Sequence, residues 1–121
     1  MNKRARGAEY EDFAAKYLED QGLTVIYRNF RCRIGEIDII ATDKDGSLVF
    51  TEVKYRSSQK YGSAASAVDI RKQKIISKVS DFFRISHKQF EGRPIRFDVI
   101  AFENNKMFWY KNAFEYSGAA L

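Results

Sequence analysis

The chain has 121 residues, of which 45% are hydrophobic and 15% aromatic. That suffices for one domain with a real core and excludes a disordered chain. The 21 basic and 16 acidic residues give a net charge of +5, compatible with a polyanionic partner, while one cysteine (Cys32) and one histidine (His87) exclude an internal disulfide and a cysteine-rich zinc site.

No window approaches the roughly 20 apolar residues of a membrane span, so a cytoplasmic location without membrane contact is expected. From about Arg6 to Gln21, Tyr10, Phe13, Ala14, Tyr17 and Leu18 recur at the spacing of one helical face, and Gly22 supplies the stop. Glu9, Glu11 and Asp12 fall early in this helix, where the macrodipole favours negative charge. Glu11 also shares helical spacing with Ala14, Ala15 and Leu18, which puts it at the edge of the packed stripe beside two small residues.

Leu23 to Phe30 is rich in β-branched and aromatic residues and reads as a first strand. Arg28, Arg31 and Arg33 cluster just before the next strand. With Lys54 and Arg56 they make either a solvated basic face or a basic surround for chemistry.

Gly35 to Ile40 and Leu48 to Lys54 alternate apolar and polar residues around the turn-forming stretch Asp43 to Ser47, which predicts a β-hairpin. Alternation puts Glu36, Asp38 and Ile40 on one face and Ile37, Ile39 and Ala41 on the other. On the return strand Phe50, Glu52 and Lys54 share a face. A turn centred near Asp45 sets Asp38 across from Glu52 and Glu36 across from Lys54. Like charges so opposed destabilise a hairpin. Either the register slips by two residues and Asp38 pairs with Lys54, or a divalent cation sits between the carboxylates.

Ser57 to Ser63 is a small-residue loop. Ala64 to Lys88 follows as a long helix with Val68, Ile75, Val79, Phe82 and Phe83 on one side and Arg71, Lys72, Lys74, Lys78 and Arg84 on the other. Ile95 to Phe102 is a heavily apolar strand, Glu103 to Lys106 a turn, and Met107 to Lys111 a last strand, capped by Phe114 to Tyr116. The predicted order is α-β-β-β-α-β-β: an α/β domain over 1–116 with a central mixed sheet of about five strands flanked by helices, and a loose tail over 117–121.

Asp38 with Glu52-Val53-Lys54 is the constellation that carries chemistry. A hard cation such as Mg²⁺ takes one or two carboxylates together with waters and phosphate oxygens. Asp38, Glu52 and the Val53 carbonyl are the candidate ligands. Lys54 would orient the attacking water or stabilise charge on a scissile phosphate.

Arg31-Cys32-Arg33-Ile34-Gly35-Glu36-Ile37-Asp38-Ile39-Ile40 and Phe50-Thr51-Glu52-Val53-Lys54-Tyr55-Arg56 resemble the motifs of the YraN-like bacterial family. That family lies within the PD-(D/E)XK, or restriction-endonuclease-like, superfamily and is similar to archaeal Holliday junction resolvases. The resemblance extends over Glu11 to Leu18, Ala67-Val68, Lys72-Gln73 and Arg96 to Ile100. It implies a restriction-endonuclease-like fold and a Mg²⁺- or Mn²⁺-dependent nuclease acting on branched or structured DNA. It also implies metal carboxylates at Asp38 and Glu52, the superfamily lysine at Lys54, and the first-helix glutamate at Glu11 with Glu9 as the neighbouring alternative. Arg31, Arg33, Arg56, Lys72 and Gln73 are the expected nucleic-acid contacts, and a homodimer is expected because paired cuts need two sites. The other reading is an accessory protein that keeps the fold and binds DNA or RNA without turnover.

Overall fold

A computed structural model of the protein describes residues 3–56 and 68–117, with side chains from residue 7 onward. Helix α1 (Lys3–Asp20) leads into strands β1 (Thr24–Arg31), β2 (Glu36–Thr42) and β3 (Leu48–Arg56). Helix α2 (Ile70–Ser86) and a 3-10 turn (Lys88–Phe90) then precede β4 (Ile95–Glu103) and β5 (Lys106–Phe114). The five strands form one sheet in chain order. Every neighbouring pair is antiparallel except β3 and β4, which run parallel. A parallel pair needs a crossover, and α2 lies within it.

The two helices cover opposite faces of the sheet. Ala14 and Leu18 of α1 pack with Leu23, Ile39, Ala41, Val49, Ile100 and Phe102. Val79 and Phe83 of α2 pack with Ile40, Leu48, Phe50, Phe97 and Val99. Helix α1 stops as predicted: Gly22 adopts φ 99°, its N–H donates to the Glu19 carbonyl, and the Leu23 N–H reaches back to Leu18 at 3.0 Å, the Schellman arrangement. A Cβ on Gly35 would stand 2.6 Å from Ile75, so a glycine there is what lets α2 press against the start of β2.

The hairpin turn forms over Asp43 to Ser47, with the Asp43 N–H donating to the Ser47 carbonyl at 2.9 Å. The register Ile39–Thr51, Ile40–Phe50, Ala41–Val49 is the one centred on Asp45, and the two-residue slip does not occur.

Three expectations are corrected. Helix α1 starts at Lys3 and carries no acidic residue in its first turn, so Glu9, Glu11 and Asp12 lie beyond the reach of the macrodipole; Asp12 instead pairs with Arg28 at 2.8 Å. Helix α2 starts at Ile70. Asp69 is extended and its side chain accepts the Lys72 N–H, an N-cap that ends the helix on that side, while Val68 precedes the helix as a buried core residue; the stretch 64–67 lies outside the described residues. Finally, strict alternation fails in β2, because Ile37 joins Ile40 on the α2 side while Ile39 and Ala41 face α1. The partner strand shows the cause. Asn29 is left-handed (φ 55°), and the pairing steps from Arg28–Ile39 to Phe30–Ile37. Tyr27 and Phe30, three apart, both meet the Phe83 ring. Both strands therefore change faces at Asn29 and Asp38.

Candidate functional site

The change of face frees the Asp38 side chain from either core. The ladder between β2 and β3 ends at Ile39–Thr51, and the next amide of β3 on that side, the Val53 N–H, donates to the Asp38 carboxylate at 2.8 Å. In an extended strand a residue's C=O points the same way as its N–H, so the Val53 carbonyl also faces this side. One step beyond the last ladder pair, Glu52 stands against Asp38, close enough for each carboxyl to shift the other's ionisation.

Asp38 is 8% exposed and Glu52 6%. Burial first, and the Asp38 charge second, push the Glu52 carboxyl up to about 8. Burial also raises Asp38, against the pull of the Val53 N–H and the Glu52 proton. Each carboxyl thus resists ionising beside the other, because two such charges are costly together in a dry site. Glu11 approaches from α1. Its carboxyl is raised by burial and by Asp38, while an Asn29 hydrogen bond and the Arg28 charge act the other way.

Lys54 follows Glu52 by two residues on the same strand and lowers its proton affinity by charge. Lys72 extends from the first turn of α2 to within 3.8 Å of a Glu52 oxygen. Gln73 does not reach the carboxylates; its side-chain amide donates to the Val68 carbonyl at 2.9 Å and ties the segment before α2 to the helix. Arg31 pairs with Glu36 at 2.7 Å, Arg56 with Glu103 at 3.3 Å, and Arg33 is exposed between β1 and β2. Asn29 was not singled out by sequence. Its signal is thin: an asparagine in a strand, the residue type that tolerates a left-handed backbone.

The donor set is two carboxylates and a carbonyl, all hard oxygens. Among the described residues no three His, Cys, Asp or Glu side chains gather in metal-binding geometry, so Glu11 is a neighbour of the pair rather than a third member. Two carboxylates and a carbonyl suit Mg²⁺, which completes its shell with water and phosphate oxygens, and a cation would relieve the repulsion between the two acids.

A second buried carboxylate has a different character. Asp98, fully buried, accepts from Arg96 at 3.0 Å, from the Trp109 indole at 3.0 Å and from the Asn112 N–H at 2.9 Å. Arg96 also bonds Asp43 at 2.8 Å. Every oxygen is satisfied, which is how a structural carboxylate is held.

Among the described residues no helix is long and apolar enough to cross a membrane. The sheet with helices on both faces is the restriction-endonuclease-like fold. A solved structure, described as the EndoMS–dsDNA2 complex, matches 77% of this chain and 34% of its own chain with a TM-score of 0.50 and 16% identity, which speaks to the fold. Curated relatives match over nearly their whole length. A UPF0102 protein of Lachnoclostridium phytofermentans is 40% identical over 98% of this chain and 100% of its own. Another from Alcanivorax borkumensis is 42% identical over 93% and 94%. The family model for "Uncharacterised protein family UPF0102" spans residues 10–102, a span that takes in Glu11, Asp38, Glu52, Lys54 and Lys72, and the chain belongs to that family.

Proposed function

We propose that the protein is a cytoplasmic metal-dependent endonuclease that hydrolyses phosphodiester bonds in branched or otherwise structured DNA. The observation that carries this reading is the buried Asp38–Glu52 pair at the broken end of the hairpin ladder. A buried pair of acids whose nearest ion pair among the described residues is the loose 3.8 Å contact of Lys72 with Glu52 costs stability, and a cation is the partner whose chemistry matches the cost. Mg²⁺ or Mn²⁺ held by Asp38, Glu52 and the Val53 carbonyl would supply a bound water of lowered pKa and polarise the phosphate. The residues of the chain do the rest. Lys54 places a compact positive charge beside Glu52, where it orients water or meets charge developing on phosphate oxygens. Glu11 holds a proton-accepting carboxyl next to Asp38. Lys72, Arg33 and the basic surface contribute sequence-independent attraction to a phosphate backbone. The DNA named in the EndoMS description is in keeping with this partner, and paired cuts at a junction would call on a homodimer.

The test is a panel of duplex, flap and four-way junction DNA, with single-stranded and duplex RNA beside it, incubated with Mg²⁺ or Mn²⁺. Wild type should cut a structured DNA, and Asp38→Asn should bind the same substrate without cutting it. Salt-sensitive binding with no cleavage of any substrate would replace the enzyme with an accessory DNA- or RNA-binding protein. Binding that ignores salt would remove nucleic acid from both readings.

A further inference from the structure

On the α1 face of the sheet a groove of about 720 Å³ opens between helix and sheet. Its floor is a row across three strands: Tyr55 pairs with Phe102, and Phe102 with Met107. Helix α1 supplies the wall. The Tyr10 ring stacks on Tyr55 with centroids 5.0 Å apart and an interplanar angle of 15°, and Phe13 meets Phe102 edge-on at 6.1 Å. These rings are only partly used: Phe13 is 63% exposed and Tyr55 47%. Two exposed rings on one groove, Phe13 and the side of Tyr55 that Tyr10 leaves uncovered, are not explained by the core.

Position and charge indicate the occupant. Tyr10 precedes Glu11 and Tyr55 follows Lys54, so the groove begins one residue, about 3.8 Å of backbone, from two candidate site residues. Lys16 and Lys106 stand on its rim. Of the two acids there, Asp12 is engaged by Arg28, leaving Glu9 against two lysines. The volume lies in the range of small-ligand sites. Flat rings flanked by cations match a heterocycle attached to a phosphate chain.

We infer that this groove receives an unpaired nucleobase from the strand held at the Asp38–Glu52 site, stacked on Tyr55 and Phe13. The inference rests on the nucleic-acid reading above and narrows it to substrates that offer a base outside the duplex.

The experiment compares a fully paired DNA duplex with the same duplex carrying one unpaired 2-aminopurine, each titrated in EDTA and again with Ca²⁺ at low salt. Wild type should bind the unpaired probe about tenfold more tightly and quench its emission on stacking. Phe13→Ser, at an exposed position, should abolish both the preference and the quench while changing the affinity for the paired duplex by less than about twofold. Phe13→Trp should keep both, which separates loss of stacking from loss of fold. Equal affinity for the two probes, or an equal loss on both in Phe13→Ser, overturns the base site and leaves the nuclease reading standing. Failure of wild type to bind either probe overturns both.

Discussion

The Lys72 ammonium lies 3.8 Å from a Glu52 oxygen, bringing a positive charge from the first turn of α2 to a buried acid on the central strand. At that distance it is a loose counter-charge, and Lys72 is 34% exposed, so water screens much of it. Lys72→Met should therefore cost about 1 kcal/mol or less in metal-free protein. Its larger effect should appear on adding Mg²⁺, because a cation at Asp38 and Glu52 would take over the work of Lys72. The gain in melting temperature with Mg²⁺ should be greater in Lys72→Met than in wild type; equal gains would mean that Lys72 and the cation do not answer the same charge.

The acid pair also fixes how stability depends on pH. Glu52 ionises near its ordinary value when unfolded but only at about 8 when folded, so between those values the folded chain binds the extra proton. Metal-free stability should fall as pH rises through this window and level off above it. Asp38 and Glu11, raised by the same burial, act in the same direction. Urea midpoints in EDTA between pH 5 and 9 should fall steadily for wild type and vary far less for Glu52→Gln, which has no proton to lose. At the alkaline end Glu52→Gln should be the more stable protein, and it should gain nothing from Mg²⁺. A wild-type midpoint as flat as that of Glu52→Gln across this range would show that Glu52 is charged throughout.

Much of this arrangement was legible in the sequence because it depends on local patterns. Period-two alternation and the Asp43 to Ser47 turn were enough to set Asp38 against Glu52, and Gly22 marked the end of α1. What escaped was of two kinds. Asn29 reverses the facing of two strands through one left-handed residue, and alternation cannot announce its own exception. Asp69 caps α2 at a point where the apolar spacing runs on through Val68, because Val68 reaches the core from outside the helix. The approach of Lys72 to Glu52, and the groove joining Tyr10 to Met107, depend on how a crossover and three strands come together. No short stretch of chain encodes that.

Arg96 separates structure from chemistry in the matched motif. It holds Asp98 and Asp43 together, and Asp98 is fully buried. Arg96→Met removes the charge that balances Asp98 and leaves it with the Trp109 and Asn112 donors alone. Breaking a buried pair from one side costs about 3–5 kcal/mol. A urea-denaturation midpoint shifted by that order, with binding of structured DNA kept in the folded fraction, is the expected outcome. A loss of DNA binding without loss of stability would move Arg96 into the functional surface.

Thr51 offers the opposite case, a polar group that the fold would be better without. It is fully buried, and its hydroxyl has no hydrogen-bond partner among the described residues, although the residue lies on the strand next to Glu52. Burying a hydroxyl without a partner costs about 1–3 kcal/mol, and valine has nearly the same shape. Thr51→Val should therefore stabilise the protein by about 1 kcal/mol. Alternation turns Thr51 toward α1 and Glu52 away from it, so cleavage and Mg²⁺ response should not change. Denaturation and cleavage assays on one preparation test both halves. If Thr51→Val destabilises the protein, or stabilises it while reducing cleavage, the hydroxyl has a partner in the working enzyme, and the site extends through the sheet to the α1 face.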